Sequence, residues 1–300
     1  MDMDKAGESA ESRFSALLVA AAKLPGVRID RAAYLRTALR RHCTEEDIRR
    51  ATEETPASAG IPLDVLDRVA NESIRYETAK VSAISAATGL PGLLAMPATV
   101  PADLAQYVGH MLRVAQKLAY LYSWPDLFSG EEDLDDATKS VLTLFFGVMF
   151  GTQSANVAVG KVAEAMAKQV AKTLPKKALT KGVVYPVVKK IAQHLGVSMT
   201  KQTFAKSVSK AVPVVGAVVS GGFTFATFLP MSRRLKTHLS GLEIAEPAEC
   251  GQVIVGEVVQ GEEVSAATGV KIPRQGRDWR IGRRRKEVEG KRPSEPGPVL

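Results

Sequence analysis

Three long stretches of this chain contain no charged residue: residues 81–102, 140–160 and 211–232. Each is long enough for one membrane-spanning helix, which needs ~20 apolar residues. Each is also interrupted by proline, glycine or amide side chains, as at Gly221 and Gly222 in the middle of the third. Buried helical hairpins in a water-exposed protein have the same pattern, so a packed core and membrane insertion both stay open.

The spacing of apolar residues predicts an all-α protein. Aromatic residues make up only 6% of the chain, so the core has to be built from Ala, Val and Leu, which favours close helix packing over a β-sandwich. Gly221 and Gly222 are expected to form a turn or a close helix contact. We therefore predict a multi-helix bundle with apolar, glycine-punctuated helical hairpins and a disordered C-terminal tail.

Local signals place several helix ends. Asp30 is a candidate N-cap, and Thr44 with Asp47 resembles a capping box. A helix is expected from about Pro62 to Thr88, and residues 1–12 are expected to be loose. Pro175, Gly182 and Gly196 are expected to separate lysine-bearing helices, and Ser123-Trp124-Pro125 to end the helix that starts near Pro101.

Composition divides the chain into an N-terminal helical segment (1–58), a helical domain (59–240) and a tail (241–300). Residues 241–270 hold six glutamates and no basic residue, whereas residues 271–300 hold ten Lys or Arg against four acids. The helical period is lost in this tail, and its segregated charge is typical of disorder.

The helical domain resembles EcsC-family proteins over roughly residues 60–240. The similarity lies in Gly89-Leu90-Pro91-Gly92, Pro97, Pro101-Ala102-Asp103, the run at 116–124 and the glycine-rich run at 212–222. The motif positions are Gly89, Pro91, Gly92, Pro97, Pro101, Pro213, Gly216, Gly221 and Gly222. The resemblance implies a bacterial, all-helical, membrane-associated protein, and it assigns no catalytic residue to this chain.

A run of lysines gives the chain its most biased charge. Residues 161–210 hold eleven lysines and one acid, Glu164. Lysines near an anionic leaflet contribute about 1 kcal/mol each, so an anionic lipid is the expected partner, although a solvated face would have the same pattern. The candidate lipid-binding or anion-binding residues are Lys161, Lys168, Lys172, Lys176, Lys177, Lys189 and Lys190.

The sequence contains little indication of a catalytic or metal-binding site. The chain has no HExxH, CxxC, P-loop or dinucleotide fingerprint, and no cofactor or metal is predicted. Asp103, Gln106 and His110 share one helix face and could form a metal or acid–base site, but the same positions also form the polar side of an amphipathic helix with Arg113 and Lys117.

The leading hypothesis is a non-enzymatic bacterial protein at the cytoplasmic face of the inner membrane, bound peripherally or through shallow hairpins. The N-terminus lacks the pattern of a secretory signal, and the two cysteines suit a reducing compartment. A membrane protein partner is an added expectation, and the arginine-rich segment at 277–286 could bind nucleic acid weakly. The alternatives are a soluble helical protein that binds or modifies an apolar ligand, and a pore-forming or effector module.

Overall fold

A computed structural model of the chain describes residues 2–89, 96–128, 134–169, 173–209 and 213–247. These residues lie in one compact unit, Met1–Val253. They form ten α-helices and one short 3-10 helix, Glu243–Ala245, with no strand among them. The all-α prediction is confirmed. The helices are α1 (Asp2–Ala22), α2 (Arg31–Leu39), α3 (Glu45–Glu53), α4 (Leu63–Gly89), α5 (Met96–Leu121), α6 (Asp136–Met149), α7 (Gln153–Gln169), α8 (Lys176–Thr180), α9 (Tyr185–Ser209) and α10 (Pro213–Ser240).

Helices α5 and α6 form the centre of the unit. From Tyr107 to Leu121 nearly every α5 side chain is buried, and α6 is buried over almost its whole length. Helices α1, α4, α9 and α10 pack around this pair, with α4 against α10 and α1 against α9. One hydrophobic core contains residues from both sides of the boundary predicted at 58/59, because Phe14 of α1 packs edge-to-face on Phe146 of α6.

The capping predictions are confirmed. The Asp30 side chain accepts a hydrogen bond from the N–H of Ala33, and Thr44 and Asp47 form a reciprocal capping box. At the end of α5, Ser123 adopts a left-handed φ of 67° and the N–H of Trp124 donates to the carbonyl of Ala119, which ends the helix where the sequence predicted.

The second charge-free stretch is a helical hairpin whose first helix is buried and whose second helix keeps an exposed side, with Val157 55% exposed. Helix α6 ends at Met149, Gly151 turns the chain with a φ of +78°, and α7 begins at Gln153. Gly147 brings the helices together, because a Cβ there would lie 2.7 Å from the Cβ of Ala155. The α6 part of this stretch and one side of its α7 part therefore belong to the core.

The third charge-free stretch differs from the prediction. Helix α10 runs without a break through Gly221 and Gly222, so the turn expected there is wrong. A Cβ on Gly222 would meet no atom within 4 Å, so no close helix contact requires this glycine. Glycine lowers helix propensity by only about 1 kcal/mol, and the packing of α10 on α4, α5 and α6 outweighs that loss.

Three other helix boundaries also differ from those predicted from the sequence. Residues 2–12 are helical rather than loose, and α5 begins at Met96, so it contains both Pro97 and Pro101. Helix α9 continues through Gly196, where a Cβ would lie 2.2 Å from the carbonyl oxygen of Ala10. That glycine therefore permits the close crossing of α1 and α9 rather than ending a helix.

The first residues of the segment predicted as a tail, 241–247, are ordered and pack on the helices. Ala245 is fully buried, and Leu242 and Ile244 pack against the core. Residues 248–300, including the arginine-rich segment, lie outside the described residues, as do Pro91 and Gly92. Gly89 is the last residue of α4, and Pro213 is the first residue of α10, which also contains Gly216.

Candidate functional site

The predicted lysines lie on three different elements. Lys161 and Lys168 are exposed on α7, Lys176 and Lys177 on α8, and Lys189 and Lys190 on α9, whereas Lys172 lies outside the described residues. They do not form one helix face.

Two of these lysines have acidic partners. Lys168 Nζ lies 2.6 Å from Glu164 Oε1 on the same helix, and Lys176 Nζ lies 3.3 Å from Asp135 Oδ2. Lys177, Lys189 and Lys190 have no carboxylate partner among the described residues. These three, all near the connection between α8 and α9, therefore keep their charge available to an external anion.

An exposed apolar tip lies within this lysine group. Val183, in the turn before α9, is 79% exposed, and Tyr185 at the start of α9 is 39% exposed. Lys189 Nζ lies 6.0 Å from the centroid of the Tyr185 ring, close enough for a cation–π contact. Lys181, between α8 and Val183, is also exposed.

We call this feature the α8–α9 surface and define it by Lys177, Lys181, Val183, Tyr185, Lys189 and Lys190. No acid occurs from Lys176 to Lys190. The apolar tip was not predicted from the sequence, although a signal was present: Val183-Val184-Tyr185-Pro186 stands between lysine pairs with a glycine before it.

A second group of basic side chains contains the buried His110 and Lys117 and the partly buried Arg113. Glu77 of α4 is fully buried, and three side chains of α5 contact its carboxylate. His110 Nδ1 lies 2.9 Å from Oε2, Arg113 Nε donates to Oε1 at 3.0 Å, and Lys117 Nζ donates to Oε1 at 2.7 Å. The spacing i, i+3 and i+7 puts these three residues on one face of α5.

The Glu77 cluster also holds a loop. Arg113 Nη1 donates to the carbonyl oxygen of Gly26, in the loop between α1 and α2. Lys117 Nζ lies 5.1 Å from the ring centroid of Tyr76 and 5.7 Å from that of Tyr34. Burial by itself raises the pKa of Glu77, but the hydrogen bond from His110 and the positive charges of Lys117 and Arg113 outweigh it and lower that pKa to about 2. The carboxylate is therefore ionised at neutral pH.

The predicted trio of Asp103, Gln106 and His110 is described only in part. His110 contacts Glu77, a residue that sequence reasoning did not select, and the side chain of Asp103 lies outside the described residues. Within the described ranges, no group of three or more His, Cys, Asp or Glu side chains is placed to hold a metal ion. Glu77 could have been found only as an acid at an otherwise core-facing position of α4.

Comparisons with known proteins add no relative. No family model, no curated protein and no solved structure matches this chain. Across the part of the chain that the structure describes, no helix combines the length and the apolar character needed to cross a membrane.

Proposed function

We propose that this protein is a non-enzymatic, bacterial, membrane-associated protein that binds anionic lipid at the cytoplasmic face of the inner membrane through the α8–α9 surface. The observation that carries the proposal is the 79% exposure of Val183 within a surface of lysines that have no carboxylate partner among the described residues. An EcsC-type membrane protein is consistent with this mode of binding.

The charge of the surface favours an anionic bilayer over a neutral one. Four lysines near the headgroups (Lys177, Lys181, Lys189 and Lys190) contribute about 4 kcal/mol, or roughly three decades in affinity. Lysine, a compact and hydrated cation, suits a mobile headgroup layer better than the fixed bidentate geometry that arginine provides.

The apolar tip supplies the second part of the binding energy. Moving one valine side chain out of water contributes about 1.5–3 kcal/mol, and a tyrosine places its ring at the interface with its hydroxyl in water. Charge and insertion together are what a peripheral protein needs, because either one alone gives weak and reversible binding.

Vesicle co-flotation tests the proposal. The full chain should float with vesicles of phosphatidylcholine and phosphatidylglycerol, and less so at 1 M salt, where the Debye length falls to about 3 Å. Replacing Lys177, Lys181, Lys189 and Lys190 together with alanine should abolish flotation, and Val183→Asp should weaken it.

A control with the same change in net charge replaces Arg36, Arg40, Arg41 and Arg75 with alanine. These four side chains are exposed on other elements, so this variant should float nearly as well as the parent. An equal loss of flotation in the two quadruple variants would show that net charge, not the α8–α9 surface, drives binding. Equal flotation of the parent with neutral and anionic vesicles would contradict the proposal altogether.

A further inference from the structure

An open cavity of about 380 Å³ lies between the α1–α2 loop, α4 and α5. Leu24, Val27 and Ile84 form its apolar lining, and Lys80, His110 and Arg113 form its basic lining. Gly109 of α5 also borders it, where a Cβ would lie 3.0 Å from Val27 Cγ2. The cavity is separate from the α8–α9 surface in its residues and its elements.

The charge around this cavity is unbalanced. Glu77 is the carboxylate of the adjoining cluster, and it already contacts His110, Arg113 and Lys117. No carboxylate occurs among the cavity's lining residues that the structure describes. Among the described lining and cluster residues, three permanent cations, Lys80, Arg113 and Lys117, therefore stand against one carboxylate, and the excess positive charge borders the cavity.

Two of the lining cations can still bind an anion. Lys80 Nζ lies 5.6 Å from the ring centroid of Tyr76 and has no carboxylate partner among the described residues. Arg113 uses Nε for Glu77 and Nη1 for Gly26, and its Nη2 makes no hydrogen bond to the described residues. The Glu77 and Gly26 contacts fix the Arg113 guanidinium in place before any ligand arrives, which reduces the entropy that binding has to overcome.

We propose that this cavity binds a small anionic amphiphile, an alkyl carboxylate, with its carboxylate on Lys80 and Arg113 and its chain against Leu24, Val27 and Ile84. Charged hydrogen bonds from a lysine and an arginine suit a carboxylate, and the apolar lining suits a short hydrocarbon chain. A volume of about 380 Å³ lies within the ~300–1,000 Å³ range of small-molecule pockets, at the end that suits a short chain such as one of about eight carbons.

Isothermal titration of the full chain with octanoate, below the concentration at which it forms micelles, tests this inference. Octanoate should bind at one site, and octanol and octylammonium should each bind at least about tenfold more weakly, because they lack the anion that the two cations need. No vesicle is present in this measurement, so its result is independent of the lipid proposal.

Variants locate the site. Lys80→Ala should weaken octanoate binding about tenfold, and it leaves the hydrogen bonds of the Glu77 cluster intact because those come from His110, Arg113 and Lys117. Ile84→Trp should fill the cavity and block binding. Arg75→Ala is the control, since Arg75 is an exposed cation of the same helix outside the cavity.

Three results of these experiments would contradict the proposed octanoate site. Absence of octanoate binding, or equal affinity for octanol, overturns the proposal. If inorganic phosphate binds as tightly as octanoate, the cavity is a site for simple anions, and the proposal that it binds an amphiphile is wrong. Unchanged affinity in both Lys80→Ala and Ile84→Trp would mean that octanoate binds elsewhere, which also overturns it.

Discussion

Two groups of basic side chains in this protein face opposite environments. On α5, His110, Arg113 and Lys117 point inward and contact one buried carboxylate, whereas on the α8–α9 surface the lysines point into solvent beside an exposed valine. Both groups lie on helices of mixed polarity. Their different positions follow from the partner, because a buried cation needs a carboxylate close by and Glu77 supplies one to α5 alone.

The difference assigns the two groups different roles. The α5 group joins α4, α5 and the α1–α2 loop, so its charge contributes to the stability of the fold and to the charge of the adjoining cavity. The α8–α9 group touches little of the protein, so its charge is available to a partner. Removing charge from the α5 group should therefore change the free energy of unfolding, whereas removing charge from the α8–α9 group should change vesicle binding.

The largest expected effect comes from removing the shared carboxylate. Glu77→Ala leaves Lys117 and His110, each 8% exposed, without their carboxylate partner, and should lower the free energy of unfolding by about 3–5 kcal/mol. Urea denaturation followed by circular dichroism measures it. Glu164→Ala is the matched control, because that exposed glutamate forms only a surface ion pair with Lys168 and its loss should not be detectable. Similar losses in the two variants would remove the distinction between the buried and exposed groups.

A somewhat smaller loss in the free energy of unfolding is expected at acidic pH. The pKa of Glu77 falls from its ordinary value of 4.5 to about 2 in the folded protein. The stability that its charge provides is therefore complete above pH 4.5 and is lost as the pH falls toward 2, by about 3 kcal/mol. Urea denaturation at several pH values should show this loss in the parent. In Glu77→Gln, which cannot titrate at this position, the same pH range should produce a flatter curve, and parallel curves would mean that Glu77 does not carry the effect.

The smallest effect on stability is expected at the α8–α9 surface. Replacing Lys177, Lys181, Lys189 and Lys190 with alanine should change the free energy of unfolding by no more than about 0.5 kcal/mol, because the side chains are exposed and make no ion pair with the described residues. Thermal and urea unfolding of this variant beside the parent check it. A marked loss of stability would show that these lysines support the fold, and a loss of vesicle binding could then not be assigned to the surface alone.

The glycines show where sequence and structure diverge. The sequence predicts a turn or a close helix contact at Gly222, yet this glycine lies in α10 with open space beside it. It also predicts that Gly196 separates two helices, whereas this glycine allows α1 to cross α9. A glycine in a helical pattern can end the helix, be tolerated within it, or admit a neighbouring backbone. Only the neighbour decides among these, and for Gly196 the neighbour is Ala10, 186 positions earlier in the chain.

By itself, the sequence determined the features that depend on neighbouring residues: the all-α class, the caps at Asp30 and Thr44, the extent of α4 and the density of lysine after Lys161. These follow from periodicity, capping and charge, which act within a few residues of chain. The tertiary structure alone decided that the polar face of α5 is buried, that Glu77 is its partner, and that Val183 is exposed among lysines. The reason is physical: the burial of a charge or of an apolar side chain depends on the atoms that surround it, and here those atoms come from segments 33 or more residues away in the chain.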